Sequence, residues 1–183
     1  MGRARMRRAL TRFARRKDGA AAVEFALIAL PFFLLLTALA EVSLMSFAQT
    51  NLDLAISDLG RTIRTGQAAE GDMGAEDVES MVCERLNRIM PMDCSENLYV
   101  DVDHYDTFND VDNPVPLANG ALDETDIGFE QTGPGEIVLV RGYYRWEVIT
   151  PFFQSIFGNV NGTDRLMVSS MLFRNEPWPE DAE

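Results

Sequence analysis

Residues 20–40 read AAAVEFALIALPFFLLLTALA, 21 residues with a single charge, Glu24. A bilayer span takes about 20 mainly apolar residues. The Leu, Ile and Phe at the centre of this run are the residues that insert most favourably. The stretch is therefore expected to be one transmembrane helix near the N-terminus.

The flanks support that reading over a helix buried in a soluble protein. Arg3, Arg5, Arg7, Arg8, Arg12, Arg15, Arg16 and Lys17 precede Gly19, with Asp18 the one acidic residue among them. Eight basic and 28 acidic residues follow, so a formal +7 stands before the apolar run and −20 from its start onwards, for a net −13. Basic residues stay on the cytoplasmic side of a span, so the acidic remainder is expected outside the cytoplasm. A cleavable secretory signal has the same basic-then-apolar order. Here Ala38 and Ala40 give only a weak small-residue site, and Glu41 and further apolar residues follow. A basic arm also suits nucleic acid, but next to a span it is better explained by topology and lipid headgroups. No nucleic-acid partner is expected.

Beyond Ala40, Leu44, Ala48, Leu52, Ala55, Leu59 and Ile63 recur every three or four residues and form one helical stripe. Gly66 suits the end of the helix, with Arg61 and Arg64 favourably placed in its last turns. A helix from Ala20 to Thr65 would be about 69 Å long at about 1.5 Å per residue. That exceeds the roughly 30 Å of hydrocarbon. Its outer half must cover the stripe with its own domain or with neighbouring copies. Pro31, inside the span, removes one helical hydrogen bond and is expected to kink it.

The stretch from Gln67 to Gly74 reads as a polar linker. A second helix fits Ala75–Met90, with Val78, Met81, Val82, Leu86 and Ile89 on one face, and Pro91 ends it. A strand fits Leu98–Tyr105, and the acidic, Asn-, Gly- and Pro-rich run Asp106–Pro134 reads as a long loop. The strongest strand signal is Glu136–Thr150, EIVLVRGYYRWEVIT, with a bend expected at Gly142. A short helix over Pro151–Phe157, a turn at Asn159–Gly162 and a strand over Leu166–Phe173 complete the chain. The fold class is α+β: a long N-terminal transmembrane helix continues as an amphipathic stalk into a small antiparallel-sheet domain with one or two helices.

Candidate chemistry is sparse. Cys83 and Cys94 are the only cysteines. Both fall on the outer side, where an oxidising compartment permits a disulfide. The closed loop would contribute about 2–3 kcal/mol at best; the alternative is two small free hydrophobes. His104, the one imidazole, lies among acids in DVDHYD and reads as a surface strand residue rather than a base. Asp101, Asp103, Asp106 and Asp110 do not follow the calcium-loop spacing. No phosphate-binding loop or dinucleotide fingerprint occurs. Catalytic residues, metal ligands and cofactors are therefore expected to be none, and the protein is not expected to be an enzyme. Asn161-Gly162-Thr163 matches the glycosylation acceptor, a motif short enough to arise by chance.

Glu24 is the most informative residue, because an acid inside a span is costly and usually has a partner. If the chain were cut after Gly19, Ala20 would carry the new amine and Glu24 would be the fifth residue. Amine and carboxylate would lie one helical turn apart, or would set a register between staggered neighbours.

The arrangement Gly19, Ala20-Ala21-Ala22-Val23-Glu24-Phe25-Ala26-Leu27, Pro31 and Glu41 resembles the pilin-like proteins, and more closely the TadE/TadG-like family of pilus assembly proteins. RTIRTGQA, from Arg61, and Leu172-Phe173-Arg174-Asn175-Glu176-Pro177 extend the likeness. The resemblance implies cleavage by a prepilin peptidase between Gly19 and Ala20, with Glu24 and Phe25 in the processing and assembly motif. It implies a non-enzymatic, pseudopilin-like role in the biogenesis or assembly of a tight-adherence (Tad/Flp-type) pilus. Partners would be the prepilin peptidase, other pilins and pseudopilins, inner-membrane assembly proteins and the membrane. The alternative is a generic membrane-anchored periplasmic binding or sensory domain. The expected organisation is a basic cytoplasmic leader over 1–19, a transmembrane helix over 20–41, an extracytoplasmic stalk over 42–66 and an acidic α+β periplasmic domain over 67–183, in a single-pass protein of the bacterial inner membrane.

Overall fold

The computed structural model describes residues 19–179. The basic residues expected to form the cytoplasmic leader, up to Asp18, lie outside the described residues. The chain divides into two compact units between Val42 and Ser43. Helix α1 covers Ala20–Arg64, one residue short of the expected end, and passes through Pro31 without ending. In the first unit its large apolar side chains from Val23 to Leu39 are exposed, except the half-buried Leu34.

The second unit buries the outer stripe of α1. Ala48, Leu52, Ala55, Ile56, Leu59 and Ile63 are all lost to solvent in one cluster with the sheet and the following helices. Of the two candidate covers, the helix uses its own domain. Leu44, expected in the same stripe, is 41% exposed, whereas the adjacent Met45 packs against the cluster.

The expected linker contains a one-turn helix, α2, over Gln67–Glu70, which tucks Ala68 into the core. Helix α3 covers Ala75–Asn87. It opens with Gly74 N donating to Asp77 Oδ2 at 3.0 Å, and buries Val78, Val82 and Leu86. It ends three residues before the expected Met90. The residue before Pro91 is disfavoured in helix, and Asn87 Oδ1 accepts from Met92 N at 2.7 Å to close the end. Ile89, left beyond the helix, is exposed.

Strands β1 (Leu98–Tyr105), β4 (Ile137–Glu147) and β5 (Asp164–Arg174) form an antiparallel sheet in the order β1-β4-β5. The strongest strand in sequence is thus the central one. It stops before Thr150 because Pro151 opens helix α4, Pro151–Phe157, at a first-turn position suited to proline. Alternation sends Val100, Val102, Val138, Val140, Tyr144, Met167 and Phe173 to the cluster shared with α1 and α3.

Gly142 continues the ladder, opposite Val100 and Ser169. Its role is clearance rather than the expected bend. A Cβ there would collide with Ile56 Cδ1 and lie 3.4 Å from Leu52 Cδ1. The absent side chain lets α1 approach the middle of the sheet.

The expected long loop is more ordered than its composition suggests. It contains a two-residue hairpin, β2 (Leu117–Ala118) with β3 (Ala121–Leu122), and a turn of 3₁₀ helix over Glu124–Asp126. It then adds to the free edge of β1: Val102 N donates to Gly128 O and Glu130 N to Val102 O, each at 2.9 Å. Leu122 and Ile127 pack on a second small cluster around Tyr143, Val160 and Leu166. The segment thereby covers an otherwise unpaired strand edge.

Candidate processing segment and the folded domain

Gly19 precedes the first residue of α1, Ala20. Gly19 and Ala20 are exposed, and among the described residues a Cβ on Gly19 would meet nothing within 4 Å. Glu24 is one turn further along the helix, the spacing at which side chains become neighbours. It is exposed, as is Phe25, at 70%. The four sequence-identified residues therefore occupy one accessible helix start. The segment that follows has a window of mean hydropathy 2.3, long and apolar enough to cross a membrane.

In the second unit Cys83 and Cys94 form a disulfide, with Cα atoms 5.9 Å apart. It ties the last turn of α3 to the approach to β1. Tyr144 Oη donates to Asp93 O at 3.2 Å beside it. Of the readings left open by sequence, pairing is the one adopted.

The acidic face of β1 is built around Arg141, which sequence reading did not single out. Arg141 Nε donates to Asp101 Oδ2 at 2.7 Å, and its Nη2 meets both Asp101 and Asp103. Asp101 Oδ1 accepts from Gly128 N at 2.9 Å, so the same carboxylate anchors the loop. Burial, and next the Asp101 charge, push the Asp103 carboxyl above its ordinary value against the pull of Arg141. Burial likewise pushes the Tyr143 hydroxyl up to about 12. Two of the four aspartates considered for a cation are thus engaged by a guanidinium. Among the described residues no group of His, Cys, Asp and Glu is arranged to hold a metal ion. His104 is partly exposed on β1, with Nδ1 2.9 Å from Glu130 Oε2.

The two outlying segments that carried the resemblance meet in space. Arg64 O, at the end of α1, accepts from Glu176 N at 3.0 Å, and Arg64 Nε lies 3.5 Å from Glu176 Oε1. Gly66, at φ +81°, leaves room for the Trp178 ring, which a Cβ would approach to 2.7 Å. Asn175 Nδ2 donates to Gly133 O at 2.8 Å and to Thr132 Oγ1 at 3.1 Å. The C-terminal motif is a strap joining the stalk end to the loop before β4.

Residues 19–61 match the family model of TadE-like proteins. The match opens on Gly19, covers the apolar segment and ends within the buried stripe of α1. Over this segment the chain is similar to TadE-like proteins, and its apolar helix fits a single-pass membrane protein. Searches of the curated proteins and of the solved structures each found no match.

Proposed function

We propose that this protein is a pseudopilin-like, non-enzymatic component for the biogenesis or assembly of an adhesive Tad/Flp-type pilus at the bacterial inner membrane. The observation that carries the reading is the coincidence at the start of α1. An exposed Gly19–Ala20 junction, a carboxylate one turn on at Glu24 and the TadE-like match all begin within the same few residues.

In this reading a prepilin peptidase cuts between Gly19 and Ala20, using Glu24 and Phe25 in recognition. The basic leader stays cytoplasmic and the acidic domain is periplasmic, as the charge asymmetry favours. The new amine at Ala20 and the Glu24 carboxylate then lie in a medium where opposite charges attract strongly. Other pilins, pseudopilins and inner-membrane assembly proteins are the partners. The domain contributes surface and rigidity rather than chemistry.

N-terminal sequencing of the protein recovered from membranes tests the processing step. The chain should start at Ala20 when an active prepilin peptidase is present and keep its arginines when the peptidase is absent. Intact leaders in both strains would favour a membrane-anchored domain outside the pilin pathway.

A further inference from the structure

Within the unit that begins at Ser43, α1 and β5 run in the same direction. Gln49 Nε2 donates to Val168 O at 3.0 Å. Further on, a Cβ at Gly60 would touch Met171 Sδ at 2.5 Å, and Arg64 O accepts from Glu176 N. The Asp164 end of β5 is therefore level with the Ser43 end of this part of α1. Strand β4 reaches that end at Glu147, paired with Asp164. Helix α4 lies between the two strands in sequence, and it returns to β5 through Asn159 N donating to Asp164 O at 2.8 Å.

This end collects exposed apolar side chains. Phe152 and Ile156, one turn apart on α4, are each 61% exposed, and Leu44 and Phe47 on α1 are exposed as well. Phe153, between the first two, is turned inward and buried. Helix α4 reads PFFQSIF and carries no charge, in a chain of net −13. A surface of this kind facing water is unfavourable and marks a docking site.

The chain itself indicates what covers it. Ser43 is bonded to Val42, the last residue of the unit that carries the bilayer-length apolar segment. The lipid–water boundary must then lie within a few residues of Ser43. We propose that α4 seats Phe152 and Ile156 in the headgroup–acyl boundary of the bilayer and so holds the folded domain against the membrane surface. The contact is apolar insertion, as for interfacial helices that sink about 5–10 Å into the boundary. With no basic residue on α4 and an acidic domain behind it, zwitterionic lipid is favoured over anionic lipid. The inference rests on the apolar span and not on the pilus reading.

The test uses the full chain in phosphatidylcholine nanodiscs holding one copy each. Both native cysteines are in the disulfide, so Ile156→Cys places a single nitroxide on α4. Glu84→Cys, on the exposed face of α3, serves as the reference. The ratio of oxygen to nickel-complex accessibility should be several-fold higher at 156 than at 84. Adding Phe152→Asp should bring the 156 ratio down to the reference while the disulfide stays formed. Equal ratios at the two sites in loaded discs would overturn the docking. So would a high 156 ratio that survives Phe152→Asp, or protection at 156 that arises only when several copies share a disc, which would assign the face to a second copy. A chain that fails to enter discs would instead remove the span itself, and the docking with it.

Discussion

Asp101 and Arg141 stand directly opposite each other on β1 and β4, and Arg141 Nε donates to Asp101 Oδ2 at 2.7 Å in an environment almost closed to water. A pair of this kind is costly to break from one side, because the surviving charge is left buried. Arg141→Met should lower the stability of the domain by about 3–5 kcal/mol. It should also free the loop, since Asp101 is the acceptor for Gly128 N. Denaturant unfolding of the full chain in detergent, followed by near-ultraviolet circular dichroism, measures the first effect. Faster amide exchange at Gly128 and Glu130 measures the second. A loss below about 1 kcal/mol would class the pair with exposed ion pairs.

Gly142 and Ile56 occupy the closest approach between α1 and the sheet. Gly142→Ala puts a methyl where the Ile56 side chain already lies, and overpacking of this kind costs about 1–3 kcal/mol. Ile56→Ala alone destabilises by leaving a cavity. The double variant should be more stable than the sum of the two single losses, because each change relieves the other. Thermal unfolding of the three variants checks this. Strict additivity would mean that the helix moves away rather than Ile56 giving way.

What the sequence disclosed and what it withheld follow from how far each signal reaches. The stripe from Ala48 to Ile63 was legible because helical periodicity is local, and the same holds for Leu98–Tyr105 and Pro151–Phe157. Leu44 fits the period yet stays exposed, since period alone does not say where a partner surface stops. Gly142 was visible as an interruption in a strand, but a bend and a close approach give the same residue. Arg141 was unremarkable in sequence because a lone cation in a strand normally faces water. Its two carboxylates lie about forty positions earlier, and only the strand register brings them together. The order in Asp106–Pro134 was hidden for a similar reason. Its key bonds run from Gly128 and Glu130 to Val102, and Asn, Gly and Pro impose no period that would announce them.

Tyr143 is fully buried on β4, and its hydroxyl has no hydrogen-bond partner among the described residues. Burial holds its proton up to about pH 12, against an ordinary value of 10.0. The folded state therefore binds the proton more tightly than the unfolded state does. Stability from this group is fully present below pH 10.0 and is lost as pH rises through about 12. Tyrosinate absorbance of the full chain should show late ionisation, and Tyr143→Phe should remove one late step. Because the hydroxyl is orphaned, the same substitution should change stability at neutral pH by less than about 1 kcal/mol. A large loss at neutral pH would mean the hydroxyl has a bonded water.

On the proposed pilus role, Glu24 is the residue that would separate anchoring from assembly. The apolar run remains long enough to span without it, and removing a charge from a span makes insertion more favourable. Glu24→Ala should therefore leave membrane insertion intact and abolish pilus assembly. Membrane fractionation and electron microscopy of cells carrying the variant as the only copy read the two outcomes. Glu24→Gln keeps the shape and hydrogen-bonding capacity but not the charge. If the carboxylate acts by pairing with the Ala20 amine, Glu24→Gln should fail like Glu24→Ala. Its N-terminus must be sequenced alongside, so that a failure of assembly with Ala20 exposed is distinguished from a failure of cleavage. Normal pili from Glu24→Ala cells would mean that the residue has no register-setting role, and that the acid is tolerated at the helix start only because it reaches water.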